Sequence, residues 1–296
     1  MFQGEIAALM AAGLWAFATL MFGRLGKQLS PLVLNLLKGA IAVGFIVLTL
    51  AVRQQLLTSL PMGSVWLLLI SGVVGIGLGD TAYFATVNAL GARQALLLEM
   101  LAPPMAAVMS LVFLQEQLSV LAWLGMVLTL VGIIWVVSER NPKTDGAKSK
   151  ASLTRGIGLG ILAALGQSVG SVLSRAALAD TGVDPLWSSL LRLSAGVVWL
   201  GILLLWRVKS QPFSRPVISG RLLGGVAIAA FFGTYLAIWL QQIALKYSPT
   251  GIAQSLLATS PIMVLPMALV LGERVTLRAA GGAIVSLAGV WLLFSR

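Results

Sequence analysis

Apolar runs of about 20 residues, separated by short polar turns, fill the chain from end to end, and each is long enough to cross a hydrocarbon layer as a helix. The alternation predicts ten spans: 4–22, 31–52, 64–86, 92–113, 120–138, 156–174, 185–206, 220–243, 250–271 and 277–295. Pro31 and Pro185 open the second and seventh, where a missing N–H removes no helical hydrogen bond. The exception among the short connections is Ser138–Arg155, SERNPKTDGAKSKASLTR, whose charge and small residues mark a linker. The halves on either side of it are copies. Pro31, Lys38 and Arg53 recur 154 residues later as Pro185, Arg192 and Arg207. Pro104, Glu116, Gly125, Gly132 and Ser138 recur 157 later as Pro261, Glu273, Gly282, Gly289 and Ser295. Five spans per copy is an odd number, so the second copy starts from the opposite side of the membrane. The pattern therefore predicts an all-α membrane protein of ten transmembrane helices, built as two inverted five-helix repeats. The first repeat covers 1–138, the linker 139–155 and the second repeat 156–296. That construction belongs to alternating-access transporters.

Composition agrees. Hydrophobic residues make up 58% of the 296 residues and charged residues 10%, well under the quarter typical of soluble domains. Cysteine and histidine are both absent, which removes disulfides, thiolate chemistry, the usual metal ligands and the usual neutral-pH proton carrier. No metal, no cofactor and no enzymatic activity are expected. The N-terminus lacks the basic region and cleavage site of a signal peptide. The net charge of +11 does not point to nucleic acid: 14 of the 20 Lys and Arg residues fall in loops on the linker's side, four on the other, and Lys38 and Arg192 lie inside spans. By the positive-inside rule the linker faces the cytoplasm and both termini face away from it, in a multi-pass protein of the cell inner (plasma) membrane.

Four ionisable residues sit within spans: Lys38, Asp80, Glu99 and Arg192. Each is costly at the bilayer centre unless paired or hydrated. Two readings follow: an internal salt-bridge set that fixes packing, with the carboxylates contacting the cations, or a polar chamber that binds a substrate or carries a proton. Asp80, in GLGDTAYF, shares its helix face with Tyr83 and Phe84, while Tyr235 and Trp239 occupy the corresponding stretch of copy two. Glu99 precedes Pro103-Pro104, and Pro261 and Pro266 interrupt the ninth span. Broken helices at matching positions of two repeats point to a central site. Gln254 shares the face of Pro261; Gln167, Gly170, Ser171 and Ser174 form a polar stripe on span six, and Trp15 and Thr19 lie one turn apart on span one. The candidate substrate-binding set is thus Trp15, Lys38, Asp80, Tyr83, Glu99, Gln167, Arg192, Tyr235, Trp239 and Gln254. GLGD also matches the GxGD signature of intramembrane aspartyl proteases, but Asp145, Asp180 and Asp184 all fall in loops, so no second acid is placed for that chemistry. The GxxxG spacings Gly75–Gly79, Gly156–Gly160 and Gly166–Gly170 read as close helix crossings.

The closing stretch of each copy carries a family resemblance: APPMAAVMSLVFLQEQLSVLAWLGMVLTLVGIIWVVSER and SPIMVLPMALVLGERVTLRAAGGAIVSLAGVWLLFSR. The proline, the Glu before the last helix and the paired glycines, at Pro104, Glu116, Gly125 and Gly132 and at Pro261, Glu273, Gly282 and Gly289, resemble the EamA-like branch of the drug/metabolite transporter superfamily. LQE stands in copy one where the family has LGE. The resemblance spans the whole chain and implies a basket of ten helices, with the fifth and tenth as packing elements, that exports amino acids, other metabolites or drugs. Glu116 and Glu273 read as helix caps or loop salt bridges. The expected function is a secondary transporter exporting small organic metabolites, amino acids or related compounds, as a monomer or homodimer in the lipid bilayer, with no nucleic-acid partner. The alternatives are a non-transporting membrane interaction or assembly protein and a passive channel.

Overall fold

A computed structural model describes residues 2–25, 28–56, 58–90, 92–137, 150–210, 219–270 and 276–295, and all regular structure among them is helical. Copy one comprises α1 (Gln3–Leu25), α2 (Pro31–Val52), α3 (Met62–Ser71), a π-helical segment π1 (Gly72–Gly79), α4 (Asp80–Leu90), α5 (Ala92–Glu99), α6 (Ala102–Phe113) and α7 (Val120–Val137). Copy two follows the same order: α8 (Lys150–Leu178), α9 (Pro185–Ser210), α10 (Gly220–Ala230), π2 (Phe231–Leu236), α11 (Ala237–Tyr247), α12 (Thr250–Leu257), α13 (Ser260–Val270) and α14 (Leu277–Phe294). Among the described residues nine stretches, beginning with Leu32–Val52, are long and apolar enough to cross a membrane; α1, of 23 residues, precedes them. The protein is a multi-pass membrane protein.

Local chemistry explains the interruptions. Pro103 and Pro104 lack an N–H and would clash with the carbonyls four residues back, at Glu99 and Met100. The helix accordingly stops at Glu99 and restarts at Ala102, with proline in its first turn. In copy two α12 ends at Leu257, four residues before Pro261. The expectation that Pro266 also interrupts this span is not met, because α13 runs through it. The π segments stand at corresponding places in the two copies. The Ser168 hydroxyl of α8 ties down the restart by donating to the Ala102 carbonyl at 2.9 Å.

The sixth span is longer than 156–174. It starts at Lys150, taking six residues of the expected linker, and ends at Leu178. Arg175, one residue beyond the expected span, therefore lies within the helix, where its guanidinium bonds the carbonyls of Leu245 (2.9 Å) and Lys246 at the end of α11, as well as a carboxylate. The third span likewise runs from Met62 to Leu90 without a break at the π segment. Residues 138–149, which hold most of the linker, and 271–275, which hold Glu273, lie outside the described residues.

Glycines set the closest crossings. The Gly75 and Gly79 Cα positions abut Gly170 and Gly166 of α8, so two GxxxG pairs face each other. Gly156 and Gly160 instead receive the side chains of Leu90 and Leu98. Gly125 and Gly132 of α7 meet Gly289 and Gly282 of α14 in reverse order, so these two helices run antiparallel. Packing also crosses between copies: α1 lies against α11 and α12, and α8 against π1 and α4.

Candidate functional site

The charged residues of the spans converge from four elements. Asp80 begins α4 directly after π1. Lys38 and Arg192 both lie within electrostatic reach of it, from α2 and α9, and Asn35 sits beside it. Glu99, at the break between α5 and α6, faces Asp80 rather than a cation. Tyr83 lies near both acids and its ring meets Phe84 at 5.8 Å, edge to face. The Lys38 ammonium is held over aromatic faces, 5.4 Å from the Phe22 ring centre and 6.0 Å from that of Phe84. Neither Asp80 nor Glu99 forms a salt bridge with a described residue, so the expected contacts between carboxylates and cations are absent.

Burial separates these groups. Lys38, Asp80, Tyr83 and Glu99 are partly accessible. Arg192 is 1% exposed, and its Nε and Nη1 have no hydrogen-bond partner. Its backbone abuts Gly72 and its Nη2 lies against Gly75, where any side chain would displace it. Asn35 is also buried, with Nδ2 unpartnered. Asn35 escaped the sequence reading, which followed ionisable groups; its signal was its place one turn before Lys38.

A second polar group closes the end of the bundle nearer the chain termini. Gln254 donates to the Ser171 hydroxyl at 2.6 Å, and Ser171 to the Gln167 carbonyl at 2.8 Å. Ser71 donates to the Gly170 carbonyl at 2.6 Å and lies 2.8 Å from the Ser174 hydroxyl. Ser71, Ser171, Ser174 and Gln254 are all buried. Further out, Arg175 pairs with Glu116 at 2.6 Å, and the other Glu116 oxygen accepts the Thr250 N–H at 2.9 Å, capping α12. Glu116 therefore acts both as cap and as salt-bridge partner, with Arg175 as the mate that the sequence did not reveal. Lys246 ties the same end by donating to the Val183 carbonyl at 2.6 Å.

The remaining candidates form an aromatic wall. Trp15 donates its indole N–H to the Gly233 carbonyl at 3.0 Å. Tyr235 is hydrogen-bonded to Thr49 at 2.8 Å and stacks on Trp239 at 6.0 Å. The Arg53 guanidinium covers Trp239 at 5.2 Å. The structure thus gathers Lys38, Asp80, Tyr83, Glu99 and Arg192; it places Gln254 in the closed end and Trp15, Tyr235 and Trp239 in the wall. The Gln167 backbone abuts Gly79, next to Asp80.

Comparison with known proteins agrees with this architecture. One solved structure, described only as "Crystal structure of protein", is 18% identical, covers 98% of this chain and 95% of its own, and superposes with a TM-score of 0.80, which shows a shared fold. No curated protein matches the chain. The profile of the EamA-like transporter family matches twice, over residues 2–138 and 154–295. Two matches that together span nearly the whole chain place this protein in the EamA-like transporter family.

Proposed function

We propose that the chain is a secondary transporter that exports amino acids or related zwitterions by alternating access across the cell inner membrane, with the linker in the cytoplasm. In this reading α1 is the tenth span and the two copies are inverted. The observation that carries it is the cluster of unpaired opposite charges. Asp80 lies near two cations yet forms a salt bridge with neither, and Asp80 and Lys38 are partly accessible, so these two opposite charges are placed to meet the two poles of a dipolar solute. Lys38 suits a carboxylate, Asp80 an ammonium group, and Tyr83 an apolar side chain. Glu99, at a broken helix, is the proposed proton carrier.

The two ends of the bundle support alternation. Lys38 lies seven residues, about 10 Å of helix, from the linker-side start of α2, and Glu99 seven residues from the start of α5. The opposite end is closed by Glu116, Arg175 and the buried serines. This arrangement suits loading from the cytoplasm, and the closed end disfavours a passive channel. The test is counterflow in proteoliposomes against a panel of amino acids and other small metabolites. Accelerated exchange of one zwitterion, lost in Asp80→Asn, is expected. Exchange of none of them, with no thermal stabilisation by any, would instead favour the interaction-subunit alternative.

A further inference from the structure

We propose that the protein binds one anionic glycerophospholipid, with an acyl chain in a groove between α1 and the eighth span and the headgroup on Arg53. The groove encloses about 780 Å³ and its lining is almost wholly apolar. Gly13 and Phe17 of α1 form one side, and Phe232, Leu236 and Leu240 the other. None of the charged cluster lines it. Trp15 and Phe22 sit on the inner side of α1, the first bonded to the Gly233 carbonyl and the second under Lys38. Met10 and Phe17 occupy the opposite side of the same helix and are 55% and 39% exposed. Gly13, between them, leaves out the side chain that would otherwise fill the space.

Length selects the occupant. From Ile243 to Phe232 the lining climbs eleven residues, or about 16 Å of helix. That is about half of a 30 Å hydrocarbon core, the reach of an acyl chain in one leaflet. The groove runs inward from the end of α11 that lies on the side of the chain termini, so the leaflet is the one on that side.

The rim supplies the headgroup preference. Trp239 lines the groove, and the exposed Arg53 lies over its ring. No described carboxylate pairs with Arg53, which leaves the guanidinium for a phosphodiester and a second anionic group. A single interfacial cation favours anionic over zwitterionic lipid by about fivefold.

The full-length protein would be reconstituted in nanodiscs of phosphatidylcholine with a minor share of phosphatidylglycerol, extracted mildly, and its retained lipid counted by native mass spectrometry. One tightly held phosphatidylglycerol per chain is expected, retained about fivefold over phosphatidylcholine. Gly13→Phe and, separately, Leu236→Trp fill the groove and lose that lipid while keeping the wild-type elution profile; two fillings on different helices guard against one of them misfolding. Arg53→Gln keeps a lipid but loses the preference. Equal lipid counts in the filled variants would overturn the groove as the site, and equal retention of the two lipids by the wild type would overturn the headgroup assignment. Displacement of the lipid by a transported solute would place the groove in the transport path and would also refute the proposal.

Discussion

At corresponding depths of the two copies the third span widens into a π segment, and the two segments carry opposite chemistry. π1 is four glycines among apolar residues and ends at Asp80; π2 is FFGTYL and leads to Trp239. The glycines of π1 let α8 and α9 approach backbone to backbone, at Gly75 against Gly170 and Gly72 against Arg192. The aromatic rings of π2 stack instead on each other and on Phe45, 5.2 Å from Phe231 and 5.8 Å from Tyr235. A repeat can thus conserve a backbone device and divide the labour: one copy presents charge, the other a rigid wall. π segments commonly mark functional stretches of helix.

The comparison is most severely tested at Gly72. A side chain there would run into the backbone of Arg192 in α9, which cannot swing aside as a side chain can. Gly72→Leu should remove nearly all monodisperse protein from membranes, whereas Gly201→Leu, which faces open space, should leave the yield unchanged. Fluorescence size-exclusion of tagged variants measures both; equal yields would refute the tight crossing. Next in size, Asp80→Asn should lower transport by up to about a hundredfold, since a hydrogen bond between its carboxylate and the solute's ammonium group contributes about 1.5–3 kcal/mol. Tyr235→Phe in the matching copy should change it by no more than about threefold, because its hydroxyl bonds Thr49 rather than the cluster. Initial rates in proteoliposomes decide, and similar losses in both would erase the division of labour.

A subtler difference concerns protons. Glu99→Gln should flatten the pH profile of transport with the protein still folded, while Trp239→Leu keeps the wild-type profile. An unchanged profile in Glu99→Gln would remove it as carrier. The smallest effect is thermal: loss of the Tyr235–Thr49 hydrogen bond should cost about 1 kcal/mol, read as a slightly lower melting temperature in detergent.

Hydropathy showed where the helices lie because lipid leaves backbone few alternatives, and the repeated glycines announced their crossings because only small residues permit them. The breaks before Pro103 and Pro261 were legible for the same local reason. Long-range pairing was not. Nothing near Glu116 in sequence points to Arg175, 59 residues away, and nothing in π1 or π2 betrays an i→i+5 turn. The ionisable residues of the spans signalled a cluster by their cost, but not that Glu99 would face Asp80 rather than a cation. The aromatic candidates were placed by sequence correspondence, and correspondence between copies does not carry chemistry with it.

The antiparallel seam of α7 and α14 has a consequence for how such a chain holds together. Gly132 meets Ser286, and the counterpart contact 157 residues on, Gly289 against Thr129, exchanges the roles of the two helices. Each copy therefore offers the other the same patch, the self-complementary geometry of a twofold dimer held within one polypeptide. Such a seam does not need the peptide linkage between its halves. Encoded separately, 1–138 and 156–296 should find each other in the membrane and co-purify; independent elution would show that the linker, and not the seam, keeps them together.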